Sequence, residues 1–446
     1  MRKAAFYLAL SLPFLALANL ARADTEGDCH IGAYRLADGQ VLSLGPSSGD
    51  KLRWRRWDGL IGALHPQADG VWISTAGWSE HADGHKVTLG ACGSGEMSFD
   101  GQPAKQVDLD ITQTSFAGHG VTLNGRLLLP KGNGPVPIVV LVHGAEHDAA
   151  VDYYPWQYLF PPEGVGVFVY DKRGTGKSSG SYSQDYQLLS DDAAAALNEA
   201  RRLAGARTGR IGFQGGSQGG WVAPLASTKT HADFVIVGFG LAVSPIEEDR
   251  QEVALEMALK GHSPDEIKKA EEVAYAAEEI ASSGLTKGFE RFDALRARYR
   301  NEPWYKDLHG DFTWILLPMS KKELLAHKSE LVMGTPWFYD AMAVLKKVET
   351  PELWILGGED LESPSAETSH RILSLAAQGR PFTLAMFPTA EHGIYEYEMD
   401  EKGERVDLRN PAGYFALWRD FIRDGKLSGP YGDSVVVEKG ETKKVR

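Results

Sequence analysis

The stretch Gly215-Gly216-Ser217-Gln218-Gly219 is the most informative part of this sequence. It follows an apolar run at 210–214 and precedes a segment with the composition of a helix. A Gly-x-Ser-x-Gly pentapeptide between a strand and a helix forms a sharp turn that exposes the serine hydroxyl above a sheet edge. Glycines flank the serine because the turn leaves little room for side chains. The pattern predicts a nucleophilic Ser217, although the pentapeptide alone also occurs by chance.

A nucleophilic serine needs a base, and the base needs a group that orients it. The apolar run 352–356 ends in Gly357-Gly358-Glu359-Asp360. A carboxylate just past the C-terminal end of such a strand lies at the rim where ligands bind, so we predict Asp360 as the acid, with Glu359 as the alternative. His392 follows the next apolar run and is the predicted base, because serine, acid and histidine then occur in the order of a triad on a parallel sheet.

Two backbone amides are expected to stabilise the oxyanion that forms when a serine attacks a carbonyl group. One is the amide of Gln218, directly after the nucleophile. The other belongs to the loop that follows the apolar run 138–142, where the sequence continues as His143-Gly144-Ala145. We predict that the Ala145 amide is this second donor.

The segments around these residues predict an α/β fold. The apolar runs lie at 137–142, 166–170, 210–214, 233–239, 352–356 and 382–387. Strands that are apolar on both faces and separated by amphipathic segments form a mostly parallel sheet covered by helices. Between about 246 and 345 the patterns are helical and highly charged, apart from a short strand-like run at 312–317. We therefore predict a helical lid inserted between two strands of the sheet.

Residues 24–115 have a different pattern, with short alternating runs separated by Gly, Asp, Pro and Ser. This pattern predicts a small N-terminal antiparallel β domain, which leaves 116–446 as the α/β domain. The tryptophans of the small domain, which are Trp54, Trp57, Trp72 and Trp78, have two interpretations. They form its core, which we favour, or they bind carbohydrate or lipid at its surface. Residues 427–446 are mostly polar and are predicted to form a weakly ordered tail.

The N-terminus has the features of a secretory signal peptide. Basic residues in Met1-Arg2-Lys3 precede an apolar stretch, which ends at Ala21-Arg22-Ala23, so we predict that residues 1–23 are removed. We expect the protein in the periplasm or outside the cell. Cys29 and Cys92 are the two cysteines of the sequence, and an exported protein favours a disulfide between them over two free buried thiols. Their spacing is not that of a metal site.

Charge and composition exclude several classes of partner. The net charge of −13 becomes −16 once the three basic residues of the signal peptide are removed. Such an acidic chain argues against nucleic acid or an anionic membrane as a partner, and no later segment is apolar over the length of a membrane span. We expect a small-molecule or peptide substrate, and neither a metal nor an organic cofactor. The sequence indicates no particular oligomeric state.

Together these motifs resemble the α/β-hydrolase family, and within it the bacterial esterases and serine-aminopeptidase-like hydrolases. Residues 215–221 resemble the nucleophile turn of these enzymes, 357–364 their acid loop, and 170–178 (Tyr-Asp-Lys-Arg-Gly-Thr-Gly-Lys-Ser) a turn beside the nucleophile. The resemblance covers about 116–425. It departs from the family at 143–148, where His-Gly-Ala-Glu-His-Asp stands in place of His-Gly-Ser-Gly-Pro.

The resemblance implies a secreted serine hydrolase that cleaves a carboxylic ester through an acyl-enzyme. It also implies a structural role for Asp171 and Arg173, which would hold their loop beside the nucleophile. The family contains peptidases as well, so an aminopeptidase-like enzyme that binds the substrate's amine through Glu247 or Glu248 is the first alternative. The second alternative is a non-catalytic binding protein that keeps the fold.

Overall fold

A computed structural model describes residues 27–47 and 51–438 of the chain, together with the backbone of 441–443. The predicted signal peptide lies outside the described residues. The described chain forms a small closed barrel followed by a large mixed sheet with helices on both faces. These features confirm the predicted fold class, which is an α/β-hydrolase sheet preceded by a small β domain. No described helix has both the length and the apolar character needed to cross a bilayer.

Antiparallel strands that close upon themselves form the barrel. Their bounds are β1 Gly32–Leu36, β2 Val41–Pro46, β3 Leu52–Arg56, β4 Ile61–Pro66, β5 Val71–Ala76, β6 Ala82–Leu89, β7 Glu96–Phe99 and β8 Gln102–Gln106. Trp54 and Trp72 fill its core, as the favoured interpretation requires. Trp57 instead contacts the α/β domain through Phe160. The predicted disulfide between Cys29 and Cys92 joins the segment before β1 to the β6–β7 loop.

The large sheet holds the strands on which the predicted site residues depend. Its strands are β9 Leu109–Ala117, β10 Thr122–Pro130, β11 Val136–Val142, β12 Gly166–Tyr170, β13 Thr208–Gly216, β14 Val235–Gly238, β15 Glu352–Gly357, β16 Phe382–Phe387, β19 Val435–Glu438 and β20 Glu441–Lys443; β17 Glu396–Met399 and β18 Arg405–Arg409 form a separate hairpin. The order is β20-β19-β16-β15-β14-β13-β11-β12-β10-β9. From β12 to β16 neighbouring strands are parallel, so their carboxyl ends meet at one edge.

Helices cover both faces of this sheet, and further helices form an insertion between β14 and β15 that we call the cap. Their bounds are α1 Ala150–Tyr153, α2 Trp156–Leu159, α3 Tyr186–Ala204, α4 Gly219–Ser227, α5 Pro245–Leu259, α6 Pro264–Ser282, α7 Phe289–Tyr299, α8 Thr313–Leu316, α9 Lys321–Ala326, α10 Lys328–Leu331, α11 Ala341–Leu345, α12 Ser365–Ala377 and α13 Tyr414–Asp424. Helices α3, α4 and α12 pack on one face, and α1, α2 and α13 pack on the other. The predicted lid corresponds to α5–α11, which lie between β14 and β15 and largely share an apolar core of their own.

Three local predictions differ from the structure. The large sheet begins at Leu109 rather than near 116, because β9 pairs with β10 along its whole length. Residues 312–317 contain helix α8 instead of a strand, since the buried Asp249 accepts hydrogen bonds from the amides of Phe312 and Thr313 and so caps that turn. The predicted weakly ordered tail contains β19, whose run of valines pairs with β16 and extends the sheet.

Candidate active site

Ser217 lies in the sharp turn between β13 and α4. Its φ of 52° falls in the left-handed region that side chains other than glycine rarely adopt. The flanking glycines are required by contact: a Cβ on Gly215 would clash with the carbonyl oxygen of Gly219, and one on Gly216 would clash with the ring of Phe239. Backbone hydrogen bonds hold the turn, including one from the Ser217 amide to the Gly238 oxygen at 3.1 Å. Strain of this kind is typical of functional sites.

The structure brings Asp360 and His392 together. Nδ1 of His392 lies 3.1 and 3.2 Å from the two carboxylate oxygens of Asp360. Asp360 is 2% exposed, and the amides of Glu362 and Ser363 donate to its Oδ1 at 3.0 and 2.8 Å. With Nδ1 donating to this carboxylate, Nε2 of His392 is the ring nitrogen available to accept a proton. An oriented general base would need this geometry.

Glu359, the alternative acid, faces a different part of the molecule. Its carboxylate accepts a hydrogen bond from the Tyr397 hydroxyl and lies 3.9 Å from the guanidinium of Arg405. Both partners belong to the β17–β18 hairpin. The carboxylate of Glu359 therefore links the acid loop to this hairpin, whereas that of Asp360 is bound by His392.

Phe239 lies between the serine turn and the histidine. Its ring packs against Gly216, and its centroid lies 4.8 Å from that of the His392 ring. Among the described residues, no hydrogen bond joins the Ser217 hydroxyl to His392. Catalytic hydrogen bonds are often long without substrate and shorten in the reacting complex. Phe239 thus contacts both the turn that carries Ser217, through Gly216, and the ring of His392.

Two carboxylates control the protonation of His392. Burial opposes its charged form, but Asp360 and then Glu362 outweigh burial and raise the pKa of His392 above its usual value. The carboxylate of Glu362 lies 3.9 Å from Nε2, the nitrogen that would accept the serine proton. The neutral form that acts as a base therefore becomes available at a higher pH than for an ordinary histidine.

The two predicted oxyanion donors lie in the loop after β11 and in the turn between β13 and α4. Neither the Ala145 amide nor the Gln218 amide donates a hydrogen bond to another group within residues 51–438. The Ala145 carbonyl accepts a hydrogen bond from the Tyr182 hydroxyl at 2.6 Å. Gln218 is 4% exposed and stands immediately before the first turn of α4, where backbone amides lack partners within the helix.

Lys172 and Glu146 are residues of this site that the sequence interpretation did not assign. Lys172 is 3% exposed, and its Nζ donates to the Gly144 carbonyl and to Oε1 of Gln218, the latter at 3.3 Å. The carboxylate of Glu146 accepts from the Gly144 amide at 3.3 Å and from the Tyr154 hydroxyl. The one sequence signal was the position of Lys172 between Asp171 and Arg173, to which the family resemblance assigned roles.

Asp171 and Arg173 anchor the loop that carries Lys172. Asp171 is almost fully buried, and its carboxylate accepts from the amides of Val151 and Lys177, each at 3.0 Å. Arg173 makes a bidentate ion pair with Asp192 at 2.7 and 2.9 Å. Bidentate pairs fix direction as well as distance, so the backbone on either side of Lys172 has a defined position.

The cap residues considered for binding an amine have other contacts. Glu247 forms a capping box with Ser244 at the start of α5 and an ion pair with Arg371 at 2.8 Å. Glu248 lies near the Tyr186 hydroxyl, whose pKa is raised by burial and then by this carboxylate. Both carboxylates therefore have contacts within the protein.

One group of cap residues has the composition of a cation site. Glu252, Glu256 and His309 bring one ligand atom each within 4.8 Å of one another, and these residue types bind zinc. The separations of His309 Nδ1 from the two carboxylates, 3.4 and 3.5 Å, equally suit an ion triad around a protonated imidazole. Glu252 and Glu256 belong to helix α5, and His309 follows helix α7.

Comparison with protein families gives one match. Residues 133–307 match the sequence model of the family described as serine aminopeptidase, S33. This match includes residues 143–148, which carry the predicted donor Ala145 and are called the oxyanion loop below, together with the Ser217 turn and part of the cap. It confirms the resemblance to α/β-hydrolases that the motifs indicated. Together with the fold, it supports a hydrolase. A comparison with curated proteins finds no significant match.

Comparison with solved structures gives distant matches. The acylaminoacyl peptidase of Pyrococcus horikoshii is 16% identical, with 81% of this chain and 52% of that chain covered and a TM-score of 0.40. An esterase of Pyrococcus furiosus is 15% identical, with 64% and 84% covered and a TM-score of 0.38. A thermophilic esterase of Thermogutta terrifontis is 19% identical, with 63% and 91% covered and a TM-score of 0.36. This chain thus spans about half of the length of the peptidase.

Proposed function

We propose that this chain is an exported serine hydrolase that cleaves a carboxylic ester through a Ser-His-Asp triad. The observation that carries the proposal is the pairing of the His392 imidazole with the buried Asp360 carboxylate, beside a serine held in a strained turn. The family match of residues 133–307 supports the same class of enzyme.

In the proposed reaction, the hydroxyl oxygen of Ser217 attacks the ester carbonyl while Nε2 of His392 takes the hydroxyl proton. The amides of Ala145 and Gln218 donate to the oxyanion of the tetrahedral intermediate. Its collapse breaks the bond to the alcohol, which leaves with the proton from His392. Water then attacks the acyl-enzyme with the same base, which releases the carboxylic acid and restores Ser217. Asp360 keeps the imidazole in the required orientation throughout.

Amide hydrolysis by the same residues is the second candidate, because the matching family is described as an aminopeptidase family. An aminopeptidase needs a group that binds the substrate's ammonium. Glu247 and Glu248 are the cap carboxylates that we would test in this role. A substrate preference for free aminoacyl amides over simple esters, lost in Glu247→Gln or Glu248→Gln, would establish the peptidase.

The first experiment is labelling of the protein with a fluorophosphonate probe, which reacts with activated serines. Labelling of the wild type and its loss in Ser217→Ala is the expected result. Hydrolysis of short and long p-nitrophenyl esters and of aminoacyl amides then decides between esterase and peptidase. Absence of labelling in a folded wild type would contradict the enzyme and favour the non-catalytic binding protein.

Export is part of the proposal and has its own support and test. The disulfide between Cys29 and Cys92 suits an oxidising compartment. When the full chain is expressed in a bacterium, we expect the mature protein in the periplasm or the medium, with its N-terminus at Asp24 by mass spectrometry. Retention of an uncleaved chain in the cytoplasm would refute export without affecting the proposed chemistry.

A further inference from the structure

Lys172 is a buried cation that touches the oxyanion loop and the residue after the nucleophile. Its Nζ donates to the Gly144 carbonyl and to the side-chain oxygen of Gln218. It also lies 4.8 Å from the ring centroid of Tyr182, whose hydroxyl donates to the Ala145 carbonyl. Lys172 and Tyr182 therefore contact both residues whose amides are the proposed oxyanion donors.

The direction of the Ala145 amide follows from the contact between Lys172 and Gly144. The Gly144 carbonyl and the Ala145 N–H belong to one planar trans peptide group and point in opposite directions. Because the carbonyl is held by Nζ of Lys172, the N–H points away from the lysine. The peptide groups on either side are held as well, because the Gly144 amide donates to the carboxylate of Glu146 and the Ala145 carbonyl accepts from Tyr182.

We propose that Lys172 is a positioning residue that aims and polarises the Ala145 amide as an oxyanion donor. This inference rests on the proposed function. A cation bound to a peptide oxygen withdraws electron density from the peptide group, and hydrogen bonds in such chains strengthen one another. The N–H thereby becomes a stronger donor to the negative charge that develops in the transition state. Lys172 need not touch the substrate to have this effect.

The charges around Lys172 fit this role. Burial lowers the pKa of Lys172 to about 8, against the opposing effect of the Glu146 carboxylate. The titratable groups around the ammonium are Glu146, His143 and His147 of the oxyanion loop and Tyr182. The pKa of Glu146 is held below its usual value by His143 and Lys172 despite burial, and burial and then Lys172 lower the pKa of His147. The cation is therefore present at neutral pH and is lost as the pH rises through about 8.

The test compares Lys172→Met with Lys177→Met, a matched control on an exposed lysine of the same loop. Loss of one oxyanion donor typically costs about 10²–10³ in rate, so loss of its positioning group is expected to lower kcat about 10- to 100-fold. Because only the transition state is affected, KM should stay within about twofold. Lys177→Met should have wild-type kcat and KM. Circular dichroism and thermal unfolding establish that each variant is folded.

The pH profile of kcat gives a readout that a merely structural role would not change. The ratio of wild-type kcat to Lys172→Met kcat should fall as the pH rises through about 8, because the titration of His392 is common to both proteins and cancels. The ratio of Lys172→Arg kcat to Lys172→Met kcat should fall only at higher pH because arginine stays charged. Unchanged kcat in folded Lys172→Met, or a ratio that does not change with pH, would overturn the inference. If Lys172→Met does not fold, a ratio of wild-type to Lys172→Arg kcat that stays constant as the pH rises through about 8 overturns it equally.

The experiment separates this inference from the proposed function. Fluorophosphonate labelling of Ser217 in the wild type tests the nucleophile without reference to Lys172. A labelled, active wild type whose rate does not depend on Lys172 refutes only the positioning role. A wild type that neither labels nor hydrolyses esters or amides refutes the proposed function, and the positioning role with it.

Discussion

Replacement of Glu362 by glutamine should shift the acid limb of the pH profile of kcat/KM to lower pH. The Glu362 carboxylate lies 3.9 Å from Nε2 of His392 and is one of the charges that raise the pKa of this histidine. The base must be neutral to accept the serine proton, so activity rises with pH through the pKa of His392. Removing a negative charge lowers that pKa, and the active form then appears at lower pH.

The size of the shift follows from distance and exposure. Two unit charges 3.9 Å apart interact by about 4 kcal/mol at an effective dielectric of 20 and by about 1 kcal/mol in water. The Glu362 side chain is 41% exposed, so the screened value is the appropriate one. About 1 kcal/mol corresponds to about 0.7 of a pH unit, and about half to one unit is the expected displacement.

The assay is hydrolysis of a p-nitrophenyl ester over a pH series at low ionic strength. Glu359→Gln is the matched control, because Glu359 lies in the same loop with 42% exposure but pairs with Arg405. The limb should move in Glu362→Gln, remain in place in Glu359→Gln, and move less at high salt because exposed charges are screened. An unmoved limb in Glu362→Gln, or one displaced to higher pH, would refute the electrostatic reasoning.

Three further predictions concern stability and are checked by urea unfolding. Replacing Cys29 and Cys92 by serine opens a loop with a sequence separation of 63 and should destabilise the barrel by about 4 kcal/mol; an unchanged midpoint would contradict this. Asp192→Ala should cost about 3–5 kcal/mol, since it leaves the buried Arg173 guanidinium without its carboxylate; a loss below about 1 kcal/mol would refute it. Burial raises the pKa of Glu352 to about 8, so the native state holds a proton that the unfolded chain releases, and stability should fall as the pH rises from about 4.5 to about 8. Glu352→Gln should remove that dependence, and a persisting slope would argue against a buried, protonated Glu352.

The strands of the central sheet could be predicted closely from local pattern. The apolar run 210–214 corresponds to β13 (Thr208–Gly216), and the apolar run 382–387 to β16 (Phe382–Phe387). Such agreement is expected because a strand buried on both faces must be apolar throughout, whichever residues lie beside it. The strand predicted at 312–317 was wrong because its conformation depends on a residue distant in sequence. The carboxylate of Asp249 binds the amides of Phe312 and Thr313.

The proposed triad could also be located from local signals. The glycines around Ser217 and the strand ends before Asp360 and His392 are adjacent to these residues in sequence, and the parallel sheet brings strand ends to one edge. Local signals do not distinguish Asp360 from Glu359, because the two carboxylates are adjacent and follow the same strand. It depends on which carboxylate meets Nδ1 of His392 and which one meets the β17–β18 hairpin.

The sequence by itself determined the fold class, the chain order of serine, acid and histidine, and the candidate disulfide, because each depends on local composition and spacing. Only the tertiary structure decided what lies behind the oxyanion loop. Lys172, Gly144 and Gln218 belong to three separate segments, and no local pattern marks a lysine that becomes 3% exposed. The proposed role of the Lys172 charge depends on its burial and on its contacts with Gly144 and Gln218. Both arise only when the sheet brings these segments together.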